Sequence, residues 1–271
     1  HCGAYGHHMY DYNTMKKINI NGVIELLNIA RIGKKKTFNF ISTLGSASIR
    51  DSEGRLFEIA TGDMPVSTNG YNMGKWVIEK ILEKASSNGM DSNIFRPGNI
   101  TGDTVHGICP PDKNHSLLLL KGCIQMTAAP DWKRTIEMTP VDTLSDAIIR
   151  LSLNSGGFNI YNMNNPLELS WHDYITMVKD NGFDIELVPV NIWKEKYLMM
   201  IDERNAMFPV KEFYLKERKD LLSRKWKHFS RWNSHEVQRK LKEYGIHYPD
   251  NYNDYIKLIT SYLVETGFLT I

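Results

Sequence analysis

Cysteine is scarce in this chain. Cys2, Cys109 and Cys123 are an odd number, widely spaced and without a Cys-x-x-Cys pair, which argues against a disulfide framework and against a zinc site built on paired thiolates. A reducing compartment suits such thiols, so the expected location is the cytoplasm. Long apolar runs are missing too. Leu117 to Leu120 is far short of the roughly 20 residues that span a bilayer, and no charged-then-apolar leader opens the chain, so neither membrane insertion nor secretion is expected. An excess of one charge is absent as well, since 33 basic residues face 31 acidic ones and the net charge of +2 gives no global field for nucleic acid. No Gly-x-Gly-x-x-Gly or Gly-x-x-Gly-x-x-Gly turn occurs, and there is no internal repeat or low-complexity segment.

What remains is an ordinary globular composition, 42% hydrophobic and 24% charged over 271 residues, enough for one large domain or two unequal ones. Apolar residues recur at helical spacing from Asp11 to Ala30, with Asn13 or Thr14 as the expected cap and Gly33 as the stop. Thr37 to Thr43 reads as a short strand ending in hydroxyl residues. A loop then runs to about Asn69, and a helix follows from Tyr71 to Ser86. Asn93 to Arg96 is the next strand, broken by Pro97-Gly98-Asn99. Further on, helices are expected at 117–126, 142–153 and 171–181, and strands at 134–140, 157–163 and 186–190; the rest from Trp193 is mostly helical. Helices alternating with strands over short connections predict an α/β fold with a parallel sheet.

Within the second helix Tyr71 and Lys75 are four residues apart and so project from one face. A free phenol has a pKa of about 10, and bringing it near neutrality takes roughly 4 kcal/mol of differential stabilisation. An exposed lysine supplies only ~0–1 kcal/mol, whereas a desolvated one beside a second positive charge can supply more. The spacing therefore points to a tyrosine acting as proton donor. Around it stand a strand ending in Ser42-Thr43 and the run Phe95-Arg96-Pro97-Gly98-Asn99-Ile100-Thr101-Gly102-Asp103.

In this order these residues resemble the extended short-chain dehydrogenase/reductases. The run from Tyr71 to Lys80, with His1-Cys2-Gly3-Ala4 and Asn19-Ile20-Asn21-Gly22, is most similar to their thioester reductase group, the terminal reductase domains of nonribosomal peptide and polyketide synthases and their aminoadipate and carboxylic acid reductase relatives. Gly74 departs from the serine or alanine expected before the lysine. The resemblance covers Cys2 to about Met163 and implies a Rossmann-like doubly wound parallel sheet, of which this chain holds the C-terminal part, plus a smaller, mostly helical substrate lobe. Residues 1–163 would form an incomplete NAD(P)-binding domain with part of the lobe inserted at about 101–133, and 164–271 the helical lobe that meets substrate and carrier. The glycine-rich turn and first strands would lie outside this sequence. The expectation is a fragment of a multidomain synthetase, or one piece of a nicked domain, with little activity or cofactor binding alone.

The resemblance also implies roles. Tyr71 would donate the proton, Lys75 would hold the nicotinamide ribose and lower the Tyr71 pKa, and Thr43 would orient the carbonyl. Asn19 would steady a water linking Lys75 to solvent. Gly3, Ala4, Ser42 and the turn Pro97, Gly98, Asn99, Ile100 would flank the cofactor, NADPH, with NADH not excluded. The implied reaction takes a carrier-bound acyl or peptidyl thioester to an aldehyde or alcohol. A nucleotide-sugar epimerase or dehydratase and a non-catalytic Rossmann-like binding protein are the alternatives. The basic, aromatic tract 211–242, with Arg218, Lys219, Arg224, Lys225, Trp226, Lys227, Arg231 and Trp232, is either a dock for an acidic carrier protein or a solvated helix face with its tryptophans in the core. Adjacent His7 and His8 point apart on regular structure, so no metal site is expected.

Overall fold

The computed structural model describes residues 1–6, 11–49, 52, 55–58, 62–63, 70–112, 114–216 and 233–271. His7, His8 and the basic tract from Arg218 to Trp232 lie outside the described residues. In chain order the elements include α1 (Tyr12–Ala30), β1 (Phe38–Ile41), α2 (Gly70–Ser87), β2 (Ser92–Pro97), α3 (His115–Gln125), β3 (Ala128–Pro130), α4 (Val141–Leu153), β4 (Phe158–Met163), α5 (Trp171–Asp180), β5 (Glu186–Val188), α6 (His235–Glu243) and α7 (Tyr252–Glu265). They form two units. One comprises His1–Ile100, Thr143–Pro166 and Ser230–Tyr248; the other comprises Thr101–Asp142, Leu167–Phe229 and Pro249–Ile271.

The first unit is built on a parallel sheet in the order β1-β2-β4, with Phe40 opposite Ile94 and Ile94 opposite Ile160. Alternation along each strand sorts the side chains to two faces. Phe38, Phe40, Ile94 and Ile160 pack against Val23 and Leu27 of α1 and Ile78 and Leu82 of α2. On the other face Phe95, Tyr161 and Met163 pack against Leu144, Ala147 and Leu151 of α4 and Val237 and Leu241 of α6. Helices thus cover both faces of the sheet, the doubly wound arrangement. His1 adds a parallel bridge along β1, its amine donating to Asn39 O at 2.6 Å and its carbonyl accepting from Ile41 N at 3.1 Å.

The second unit centres on three tryptophans. Trp132 lies 5.1 Å from Trp171 and 5.6 Å from Trp193, ring centre to ring centre. The indole N–H groups of Trp171 and Trp193 donate to the carbonyls of Pro130 and Ala128 in β3, at 2.7 and 3.1 Å, so burial leaves neither unsatisfied.

Three readings of the sequence are revised. The first helix is capped by Asp11, whose carboxylate accepts from Thr14 N at 2.8 Å, and not by Asn13 or Thr14. The expected strand at 134–140 is two bridges of two residues each, Thr135–Ile136 pairing antiparallel with Leu169–Ser170, and Thr139–Pro140. The inserted part of the lobe extends to Asp142 rather than 133, and 230–248 belongs with the sheet rather than with the C-terminal lobe, because Val237, Leu241 and Ile246 enter the core beside Leu144 and Tyr161.

One buried acid makes the first unit pH-sensitive. Glu58 accepts from Asn162 N at 2.7 Å at the end of β4, and burial, reinforced by nearby Glu236, pushes its pKa up to about 7. Between the ordinary carboxylate range and pH 7 the folded chain keeps a proton that the unfolded chain releases, so stability falls as pH rises through that window and is level above it. Glu58→Gln, which keeps the acceptor, is expected to raise the melting temperature at pH 8, by the equivalent of about 1–2 kcal/mol, and to leave it unchanged near pH 4. Melting curves of the two proteins that run parallel from pH 4 to 8 would refute this.

Candidate active site

The loops that follow parallel strands emerge at one edge of the sheet, and in open α/β folds ligands bind there. In the first unit that edge collects the Gly3-Ala4 turn beyond His1, Ser42-Thr43 beyond β1 and Pro97-Gly98 at the end of β2. Beside it lies the start of α2, which packs on one face of the sheet and whose Lys75, Ile78, Glu79 and Leu82 form one buried stripe at three- and four-residue spacing. Tyr71 opens the same stripe one turn earlier. Among the described residues, a Cβ added at Gly74 would meet nothing within 4 Å.

Lys75 is only 4% exposed. Its ammonium donates to the carbonyl of Ile41 at the end of β1, 4.6 Å from the ring centre of Phe40 and 5.7 Å from that of Tyr71. Burial brings its pKa down to about 8, against the upward pull of Glu79 and, behind it, Cys2. Burial acts on Tyr71 in the opposite sense and raises its pKa. The lowering expected of Lys75 concerns a site that holds the nicotinamide, and burial alone works against it.

Thr43 sits half-buried at the head of the short turn Leu44–Ser46, its hydroxyl accepting from Gly45 N at 3.3 Å. Ser42 points inward. It is buried, and its hydroxyl donates to Glu79, which occupies the side chain expected to face the cofactor. Asn19 is also committed elsewhere than expected: Oδ1 accepts from Tyr5 N at 2.8 Å and Nδ2 donates to Tyr5 O at 3.0 Å. Both ends of the amide grip one backbone residue, so Asn19 holds the segment carrying Gly3 and Ala4. Gly3 is exposed, and among the described residues only the His1 ring comes within 4 Å of an added Cβ, at 3.5 Å or more. Ala4 N donates to Cys2 O at 3.0 Å, closing that turn, and Gly98 N donates to Met163 O at 3.2 Å, which ties the start of the other turn to the end of β4; Asn99 is half-buried and Ile100 exposed.

The residues that sequence reasoning passed over are Glu79 and Arg96. They form a buried ion pair, Nη2 to Oε2 at 2.6 Å and Nε to Oε1 at 3.1 Å. The available signal was an arginine placed directly after Ile94-Phe95 and before Pro97, and a glutamate four residues beyond Lys75 on the buried face.

The donor set suits the ribose end of a nicotinamide nucleotide. An ammonium has three N–H bonds, Ile41 takes one, and the two that find no acceptor among the described residues match a vicinal diol. The Gly3-Ala4 backbone, free of bulky side chains, leaves room for close approach.

Comparison with known proteins agrees. A family model described as male sterility protein, an NAD-binding family, matches residues 1–148, more than half of the chain. The chain is 29% identical over 242 residues to the large chain of the L-2-aminoadipate reductase of Candida glabrata, covering 81% of this chain and 17% of that protein. It is 32% identical over 200 residues to a linear gramicidin synthase of Brevibacillus parabrevis, covering 72% and 4%. Among solved structures it is similar to the terminal R domain from the myxalamid PKS-NRPS biosynthetic pathway, with a TM-score of 0.85 and 26% identity over 99% of this chain and 68% of that one. The chain thus spans less than a fifth of the length of the curated relatives named here.

Proposed function

This chain belongs to the NAD-binding family described as male sterility protein, and we propose on that footing that it supplies the catalytic residues for reducing a carrier-bound acyl or peptidyl thioester to an aldehyde or alcohol, with NADPH as reductant. The observation that carries the reading is the Lys75 ammonium, buried on the face of α2 that bears Tyr71 and anchored to the end of β1. The names of the relatives support the thioester as substrate, since aminoadipate reductase, a gramicidin synthase and the terminal domain of a synthetase pathway share this sequence and fold. They give the epimerase alternative weaker support. A phosphopantetheinylated carrier protein is the partner that such a substrate requires.

The reduced nicotinamide, when bound, supplies a hydride to the carbonyl carbon. The residues of the chain manage the oxygen. Tyr71 hydrogen-bonds the carbonyl oxygen and passes its proton as negative charge develops there, and Thr43 offers a second hydroxyl to the same atom. Lys75 turns its remaining N–H bonds to the ribose hydroxyls, and its charge lowers the cost of a phenolate on Tyr71. Gly3, Ala4 and the backbone from Pro97 to Ile100 flank the cofactor, with Asn19 holding the first of these segments through Tyr5. Collapse of the thiohemiacetal returns the carrier thiol and leaves an aldehyde, and a second hydride with a second proton gives the alcohol.

The test is NADPH oxidation by the full-length protein on a carrier-bound thioester. Oxidation is expected to depend on the thioester, and Thr43→Val is expected to lower kcat about 100-fold, the usual cost of one donor to a developing oxyanion. Oxidation that needs no thioester, or that Thr43→Val leaves intact, counts against the reading.

A further inference from the structure

We propose that Glu79 is a positioning residue, whose buried carboxylate fixes Thr43 and Lys75 in relation to each other; this rests on the reductase reading above. Glu79 has no exposed surface, and Arg96, Ser42 and Ser46 around it are each no more than 2% exposed. Oε1 accepts from the hydroxyls of Ser42 and Ser46 and from Arg96 Nε, while Oε2 accepts from Arg96 Nη2. Ser42 and Ser46 bracket Thr43. The Ser46 hydroxyl lies 2.5 Å from Oε1 and 2.7 Å from the carbonyl oxygen of Thr43, so the turn carrying Thr43 is pinned at both ends to one carboxylate. Arg96 directly precedes the Pro97–Ile100 turn, and Lys75 stands one helical turn before Glu79 on α2. Three segments that contribute to the site are therefore fastened at a single point.

The chemistry of the point matters as well as its geometry. A buried ion pair is rarely worth more to stability than apolar side chains of the same volume, so stability alone is a weak reason for a charge here. Lys75 gives a stronger one. The titratable groups facing it are Tyr71 and Glu79 on its own helix and Cys2 from the segment beside β1, where His1 stacks on Phe40; of these Glu79 exerts the largest pull toward the charged ammonium. Arg96 neutralises Glu79 in part, so the field at Lys75 depends on both partners.

The experiment has two arms. In the first, Lys75 of this chain is titrated by NMR with 13C-labelled lysine, in the wild type and in Glu79→Gln, without cofactor. Glu79→Gln removes the anion, leaves Arg96 cationic and is expected to move the Lys75 midpoint down by about one unit from its starting value near 8. A folded Glu79→Gln protein with the wild-type midpoint overturns the proposal. In the second arm Ser46→Ala leaves every charge in place and serves if Glu79→Gln does not fold. It is expected to displace the Thr43 methyl resonance and, in the full-length protein, to lower kcat about tenfold with the KM for NADPH within twofold. Unmoved Thr43 resonances overturn the proposal. Wild-type protein that fails to oxidise NADPH on a thioester defeats only the reductase reading, because both NMR measurements are made without turnover.

Discussion

Tyr71→Phe in the full-length protein is expected to lower kcat on a carrier-bound thioester by about 10³-fold, within the range a positioned general acid contributes, with NADPH affinity unchanged within twofold. The substitution is narrow. Phenylalanine keeps the ring that faces the Lys75 ammonium at 5.7 Å and keeps the apolar burial, so packing survives and only the hydroxyl is lost. Since burial raises the pKa of the phenol, Tyr71 holds its proton at neutral pH and is ready to donate it. Lys75 sets the alkaline limit. Its pKa, brought down to about 8, means that the ammonium discharges as pH rises through 8, and the wild-type rate is expected to fall there. Both results come from one set of progress curves, and a Tyr71→Phe protein turning over at the wild-type rate would end the assignment of Tyr71 as acid.

What the sequence could express about this site depended on distance along the chain. Tyr71 and Lys75 were readable because one helical turn brings them together, and Ser42-Thr43 because a strand end delivers them to the same edge. Helices alternating with strands over short connections, α1, β1, α2 and β2 in turn, are how the parallel sheet could be anticipated. The partners of those residues were not readable. Arg96 reaches Glu79 across 17 residues from a different element, Ser42 reaches it across 37, and Asn19 grips a backbone 14 residues away. No local spacing encodes such meetings, so the partners of Ser42 and Asn19 were not to be read from the sequence. The return of α6 to the first unit belongs to the same class. Its Val237 and Leu241 fit any apolar groove, and only the assembled core shows which one they fill.

Arg96→Met should be the most destabilising single change at this site, by about 3–5 kcal/mol, because it strands the Glu79 carboxylate without its counter-charge. The two serine hydroxyls that remain, Ser42 and Ser46, are neutral donors and cannot replace a guanidinium that binds both oxygens. The double variant Glu79→Met with Arg96→Met removes both charges and fills similar volume, so it is expected to recover stability to within about 1–2 kcal/mol of wild type. Activity should not return with it. The serines that bracket Thr43 would then lose the carboxylate they share and keep only each other and the Thr43 carbonyl, the turn would lose its anchor to α2, and kcat should stay at least tenfold down at a temperature where the protein is fully folded. Urea denaturation of the three proteins beside their NADPH oxidation rates separates the two effects. If Arg96→Met unfolds at the wild-type midpoint, the ion pair carries no weight in the fold; if the double variant regains both stability and rate, Glu79 acts through packing alone.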